Sequence, residues 1–418
     1  LQSCSAHVWS CSVGWPSHTR FLRTEGQWPP GMNILVALSP QACLPWLLAM
    51  LLLHHLSRLG RVVETVKATP VAGDRGAMLQ YCTEVERAAE GLAARGPSWQ
   101  GQMVREGAHA HILRALEEFQ KPADAPLAIS CLNALCSMAL FNPETEQVMN
   151  HAGALRAVVN TGLGFYRNAD VMAKASGTMG CLVDESSADR FRLYKLGGHQ
   201  IAVDTWRRHP DHIGALFGAG ALIAGMSYDN VETKRAFVDD LEFTGLGLDS
   251  IRRFPKTEDR VREEMMQAFN GLSGRPPVPD VQARLVEDGL LQGLVTVLRE
   301  NGDGMATVTN ANRVVQNMGM VNNTYRVMML DAGIGDLIIG RLGAFGMQKG
   351  WAAYVDPDTS GIQALASLAT GGEDNKRRLV EAGAIEKVQE VMKMKPQHGG
   401  LQGAGWGLLN LLKDVKKS

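Results

Sequence analysis

One glycine recurs along this chain inside an amphipathic pattern, and its interval restricts the fold more than any other feature. In "RRLVEAGAIEKVQEVM", residues 377 to 392, Gly383 interrupts a helical arrangement of apolar and polar side chains. A glycine inside a helix costs about 1 kcal/mol relative to alanine, so it marks a bend where two helices meet. The setting returns as "VREGAHAHIL" at Gly107, "NHAGALRAVV" at Gly153, "YKLGGHQIAV" at Gly197, "VEDGLLQGLV" at Gly289 and "LDAGIGDLII" at Gly333. A degenerate copy, "VDDLEFTGL", puts Leu241 in the glycine slot. Successive anchors lie 46, 44, 44, 48, 44 and 50 residues apart, an interval suited to repeats of two or three helices.

A third helical segment follows each anchor, for example "CLNALCSMAL", "LFGAGALIAGM", "NRVVQNMGMV" and "GAGWGLLNLL". Turn-forming connectors such as "FNPETEQ", "YDNVETK", "GRPPVPD" and "GGEDNK" then lead into the next copy. Gly91, Ser137, Cys181, Gly225, Gly271, Asn317 and Ser367 precede their anchors by 16 residues in six cases and 18 in one, so the register is kept. Each unit leaves an apolar face that only its neighbour can cover, which predicts a solenoid with a continuous core. The glycine would let the chain reverse sharply and let neighbouring backbones approach.

This organisation resembles the armadillo repeat, most closely in "NKRRLVEAGAIEKVQEVMKMKPQHGGLQGAGWGLLNLL", residues 375 to 412. The resemblance covers roughly residues 78 to 418 and implies an all-α, right-handed α-solenoid; HEAT repeats are the competitor by unit length. Residues 1–60 read as an apolar leader, either signal-anchor or disordered, residues 61–98 as a partial capping repeat, and residues 99–418 as seven armadillo-like repeats.

No acidic or basic side chain occurs between Glu25 and Arg58, and residues 33–55 have the length of a membrane span, interrupted by Pro40, Gln41 and Pro45. That segment is the one route to a membrane. Elsewhere a formal net charge of −1 gives no reason to expect nucleic acid as a partner. The seven cysteines form no CxxC pair and are odd in number, which reads as buried thiols in a reducing, cytoplasmic setting.

In armadillo proteins the third helices line a concave groove. Nuclear-import adaptors of this family place Trp-x-x-x-Asn there; this chain has that pair only at Trp406 and Asn410. The corresponding positions elsewhere include Asn133, Gln267, Arg313, Asn317 and Gln363, and small residues, Gly177, Cys181, Ala221, Gly225 and Gly271, occupy the middle as groove floor or as packing positions. Arginine and aromatic residues are the usual anchors of an interface, and Arg313, Asn317, Gln363, Trp406 and Asn410 carry most weight, with a cap on the terminal core as the other reading of Trp406. A long segment, residues 343 to 361, adds Trp351 and Tyr354 as candidate partner contacts.

Catalytic signals are missing: GxGxxG, Walker, GxSxG and HExxH patterns do not occur. His109, His111 and "HPDH" at 209 to 212 have no clustered ligands beside them in sequence, so neither metal nor cofactor is expected. Glu117–Glu118, Asp239–Asp240 and Glu263–Glu264 read as solvated faces, and "RPPVP" at 275 to 279 as a connector or, less simply, an extended ligand motif. The resemblance therefore implies a non-enzymatic scaffold or adaptor that takes a peptide or helix in its groove. A nuclear-transport or chaperone-like adaptor and the regulatory subunit of an enzyme are the alternatives.

Overall fold

The computed structural model describes residues 73–92, 98–140, 142–184, 186–254, 257–300, 304–345, 356–413 and 415. Among them are 22 α-helices and no strand. An opening helix, α1 (Arg75–Leu92), precedes seven triplets. The first two are α2 (Ser98–Arg105), α3 (Ala108–Glu118), α4 (Ala125–Ala139), then α5 (Pro143–His151), α6 (Ala154–Gly164), α7 (Ala169–Cys181). The next two are α8 (Ser187–Lys195), α9 (Gly198–Arg208), α10 (Ile213–Ser227), then α11 (Val231–Arg235), α12 (Phe243–Arg253), α13 (Asp259–Ser273). There follow α14 (Pro279–Glu287), α15 (Leu290–Glu300), α16 (Met305–Val321), then α17 (Asn323–Asp331), α18 (Ile334–Arg341), α19 (Pro357–Ala369). The last triplet is α20 (Glu373–Glu381), α21 (Ala384–Met394) and α22 (Gly399–Leu412).

Each recurring glycine stands between a first and a second helix with a left-handed backbone: φ is 86° at Gly107, 97° at Gly153, 86° at Gly197, 100° at Gly289, 74° at Gly333 and 86° at Gly383. Only glycine adopts this region without a steric penalty from Cβ. The expectation that these glycines also admit a neighbouring backbone is corrected: a Cβ at Gly107, Gly153 or Gly383 would meet nothing within 4 Å. Their role is conformational.

The degenerate copy needs a second correction. Helix α11 continues into a π-helical turn, Ala236–Asp240, closed by the Leu241 amide on the Ala236 carbonyl at 2.9 Å. That turn absorbs one extra residue, so the left-handed position is Glu242, at φ 52°, and not Leu241.

Helix starts follow the connectors. The side chains of Asn142, Asn168, Ser186, Asn230, Asn322 and Asp356 accept the free backbone amides of the helices they precede. His212 and His398 do the same through Nδ1, at 3.1 Å each, which gives "HPDH" a capping role. Pro279 opens α14 and Val278 is buried, so "RPPVP" is a connector packed on the array. Helix α19 begins at Pro357, with Gly361 inside it; the segment read as a loop from 343 to 361 thus ends at Asp356.

The third helices α1, α4, α7, α10, α13, α16, α19 and α22 form the spine, each packed on the one before and the one after. One apolar core runs the length of the array. In its middle Trp206, Phe243 and Phe269 meet with ring centroids 5.5 and 6.1 Å apart, and Trp206 Nε1 donates to Ser250 Oγ at 2.9 Å. Each such buried aromatic contributes a few kcal/mol, which ties one unit to the next. Small residues act here at close range: a Cβ on Gly271 would lie 2.8 Å from the Ala224 carbonyl oxygen of the preceding spine helix.

Two further readings change. Cys82 bonds to Cys131 and Cys136 to Cys181, with Cα separations of 5.1 and 5.3 Å, so four of the seven cysteines are disulfides joining α1, α4 and α7 rather than free thiols. Their sequence separations, 49 and 45, match the repeat length because each pair occupies nearly the same place in successive spine helices. Glu264, read as part of a solvated face, is buried against α10 beside Gly220; Glu117, Glu118, Asp239 and Asp240 are exposed. Trp351, Tyr354 and residues 33–55 lie outside the described residues.

Candidate functional site

Spine helices are covered on three sides, by the spine helices before and after and by their own triplet, and the fourth side remains open. Along α13, α16, α19 and α22 that side carries Glu263, Gln267, Arg313, Asn317, Gln363, Trp406 and Asn410, which recur at helical spacing. The register between spine helices is fixed by side chains. Asn317 Nδ2 donates to Asn270 Oδ1 at 2.9 Å, and Asn312 Nδ2 donates to Ser360 Oγ at 3.2 Å. Gln267 and Gln363 stand on the spine helices before and after the one that carries Arg313.

Arg313 is the chemically exposed point of this stripe. It is half-buried, and no hydrogen bond or ion pair satisfies it among the described residues. Burial alone lowers its pKa from the ordinary arginine value, and no carboxylate stands near enough to oppose that shift. Gln267 and Gln363 also make no hydrogen bond among the described residues, so three successive spine helices each present an unsatisfied polar group. Five N–H groups in a planar fork match a carboxylate or phosphate bidentately.

The remaining candidates divide. Asn317 has its Nδ2 committed to Asn270, which leaves its Oδ1 for a ligand. Asn133 donates to Glu86 Oε1 at 2.7 Å and so ties α4 to α1. Trp406 is 62% exposed beside exposed Asn410, and it does not close the end of the core. A Cβ at Gly177 would meet nothing, so the floor there is open, whereas Ala221 and Cys181 are buried in the spine.

Carboxyl groups on α13 behave differently from surface acids. Burial pushes the Glu264 carboxyl well above the usual range, with the Glu263 charge adding to the effect, and its Oε2 has no hydrogen-bond partner among the described residues. Glu263 is raised too, by burial first and by Asp259 second. Sequence reasoning missed Glu264 because the pattern puts it one position from the open stripe. It also missed the buried Lys395, whose Nζ lies 2.6 Å from Asp358 and 3.7 Å from Asp356 and locks α21 to the start of α19.

Among the described residues there is no group of three side chains suited to a metal, and no helix long and apolar enough to cross a membrane. No protein-family model matches the chain, and no curated protein matches it. Solved structures do. An engineered protein from the Northeast Structural Genomics Consortium superposes with a TM-score of 0.65 at 16% identity, over 85% of this chain and 78% of its own. A chain from a structure concerning a phosphorylation switch in the interaction between cadherin and β-catenin gives 0.56 at 15%, over 84% and 64%. A designed armadillo repeat protein gives 0.50 at 16%, over 62% and 99%. At these identities the likeness speaks for the fold alone. The chain has the armadillo-repeat fold, an all-α solenoid whose spine helices present one open face.

Proposed function

We propose that the chain is a non-enzymatic scaffold or adaptor that takes an extended segment of another protein across α13, α16 and α19, with an acidic side chain of that segment on Arg313. The observation that carries this is the half-buried Arg313 guanidinium, which has no hydrogen bond or ion pair among the described residues. A half-buried charge without a partner is unfavourable in the free protein, and a ligand carboxylate would supply the missing partner. Gln267 and Gln363 would hold the ligand backbone, and Asn317, Trp406 and Asn410 would extend contact toward the last triplet. A cation at the centre of the groove disfavours the alternative of an adaptor for basic import signals. The expected cytoplasmic location rested on free cysteines, and the two disulfides remove that support.

The test is selection of 12-residue peptides from a random library by the full chain and by Arg313→Met. The reading expects enriched peptides to carry Asp or Glu, to lose at least tenfold in affinity on the variant, and the free variant to gain about 1 kcal/mol in stability as the unpaired charge is removed. Enriched peptides without an acidic residue, or equal affinity for both proteins, would sink it.

A further inference from the structure

A second open cationic place lies away from the spine, where the ends of α6 and α9 part. A cleft of about 780 Å³ opens there, with Gly162, Met172 and Ile201 at its base and Tyr166, Arg167 and Arg208 at its mouth. The Tyr166 ring is 38% exposed and has two guanidinium carbons near its centroid, Arg208 at 5.0 Å and Arg167 at 5.3 Å. His209 Nε2 lies 3.1 Å from the Tyr166 carbonyl oxygen, so that nitrogen carries the proton and holds the turn after α6 against α9. Among the described residues Asp204 is the one carboxylate lining the cleft, and it forms no ion pair with Arg208 although it sits one helical turn before it.

The next interface shows what this position ordinarily contains. Arg208 ends α9 as Arg253 ends α12, Asp204 corresponds to Asp249, and Arg167, three residues past the end of α6, corresponds to Asp211, three past the end of α9. At that interface Arg253 bonds Asp211 at 3.2 Å and Asp249 at 2.9 Å. At the Tyr166 cleft an arginine replaces the acid, so two guanidinium groups near one tyrosine ring stand where the next interface has a cross-repeat ion pair. Two like charges near one ring disfavour each other, and an anion bound beside them offsets that.

We infer that the cleft between α6 and α9 binds a phosphate monoester or carboxylate carried on a compact apolar body. The anion takes the place that Asp211 has beside Arg253, held by Arg167 and Arg208, and the apolar body lies on Leu163 and the Tyr166 ring. The cleft volume falls in the range of small-ligand sites, about 300–1,000 Å³. The same chemistry reaches the cleft from a free small molecule or from a phosphorylated tyrosine in a protein segment.

Calorimetric titration of the full chain tests this with phenyl phosphate as the free molecule, a capped phosphotyrosine pentapeptide as the protein segment, and inorganic phosphate as the control for charge alone. Saturable binding of phenyl phosphate or the peptide, at least tenfold tighter than inorganic phosphate and weakened at least tenfold by Arg167→Ala with Arg208→Ala, is the expected result. The tighter of the two probes identifies the source. Arg167→Asp supplies the pairing seen at the next interface, so it should abolish binding and leave the helical circular dichroism intact. Binding unchanged in either variant, no binding of either probe to the folded parent, or inorganic phosphate binding as tightly as phenyl phosphate would each overturn the inference.

Discussion

Replacing Gly153 with alanine isolates the reason for the recurring glycine. Its φ of 97° places an L residue in the left-handed region, which costs about 1–2 kcal/mol. Alanine also restricts the unfolded chain and returns about 0.4–1 kcal/mol. A Cβ there would touch no other part of the fold within 4 Å, so no packing clash adds to this, and the net loss is about 1 kcal/mol. Gly271→Ala is the contrast, because its Cβ would lie 2.8 Å from a backbone carbonyl that cannot move without shifting α10; overpacking of this kind costs about 1–3 kcal/mol. Glu242→Gly works in the opposite direction, relieving a left-handed non-glycine residue and gaining about 0.5–1 kcal/mol. Urea unfolding followed by circular dichroism, fitted with coupled repeats since arrays need not unfold in two states, gives all three values. A neutral Gly153→Ala, or a Glu242→Gly that fails to stabilise, would refute the conformational account of the repeat.

Two further outcomes follow from buried groups. Lys234 is fully buried, its Nζ donating to the Gly274 and Pro276 carbonyls at 2.7 and 2.8 Å, and burial pushes its pKa down to about 8. Between that value and the unfolded value of about 10.4 the unfolded chain holds more protons, so stability rises with pH. Relative to Lys234→Met, the parent should gain about 2–3 kcal/mol from pH 7 to 10 in urea melts, and a constant difference would contradict the buried ammonium. Reduction of Cys82–Cys131 and Cys136–Cys181, which close loops with sequence separations of 49 and 45, should cost about 2–4 kcal/mol each and lower the urea midpoint. Alkylation of all seven cysteines in denaturant without reductant would show that these bonds do not form.

The interval of the glycines, the apolar stripes and the capping residues already determine a helical solenoid, because each of these signals acts within a few residues of the chain. Arg313, Trp406 and Asn410 are legible on the open face for the same reason: their helical phase is local. What lies between units is not. The displacement from Leu241 to Glu242 comes from a π turn that closes through one backbone hydrogen bond, and the pairing of Cys82 with Cys131 requires two spine helices to stack in register. Burial of Glu264 depends on which side of α13 meets α10, while the absence of a partner at Arg313 among the described residues depends on every neighbour packed around it. The approach of Arg208 to the Tyr166 ring, where Arg167 already stands, arises only when two units dock, across 41 residues of intervening chain. Local propensities and repeat length therefore belong to the sequence by itself. The charge balance of each interface is decided by tertiary packing, since electrostatic and desolvation energies depend on distances between residues that the chain keeps far apart.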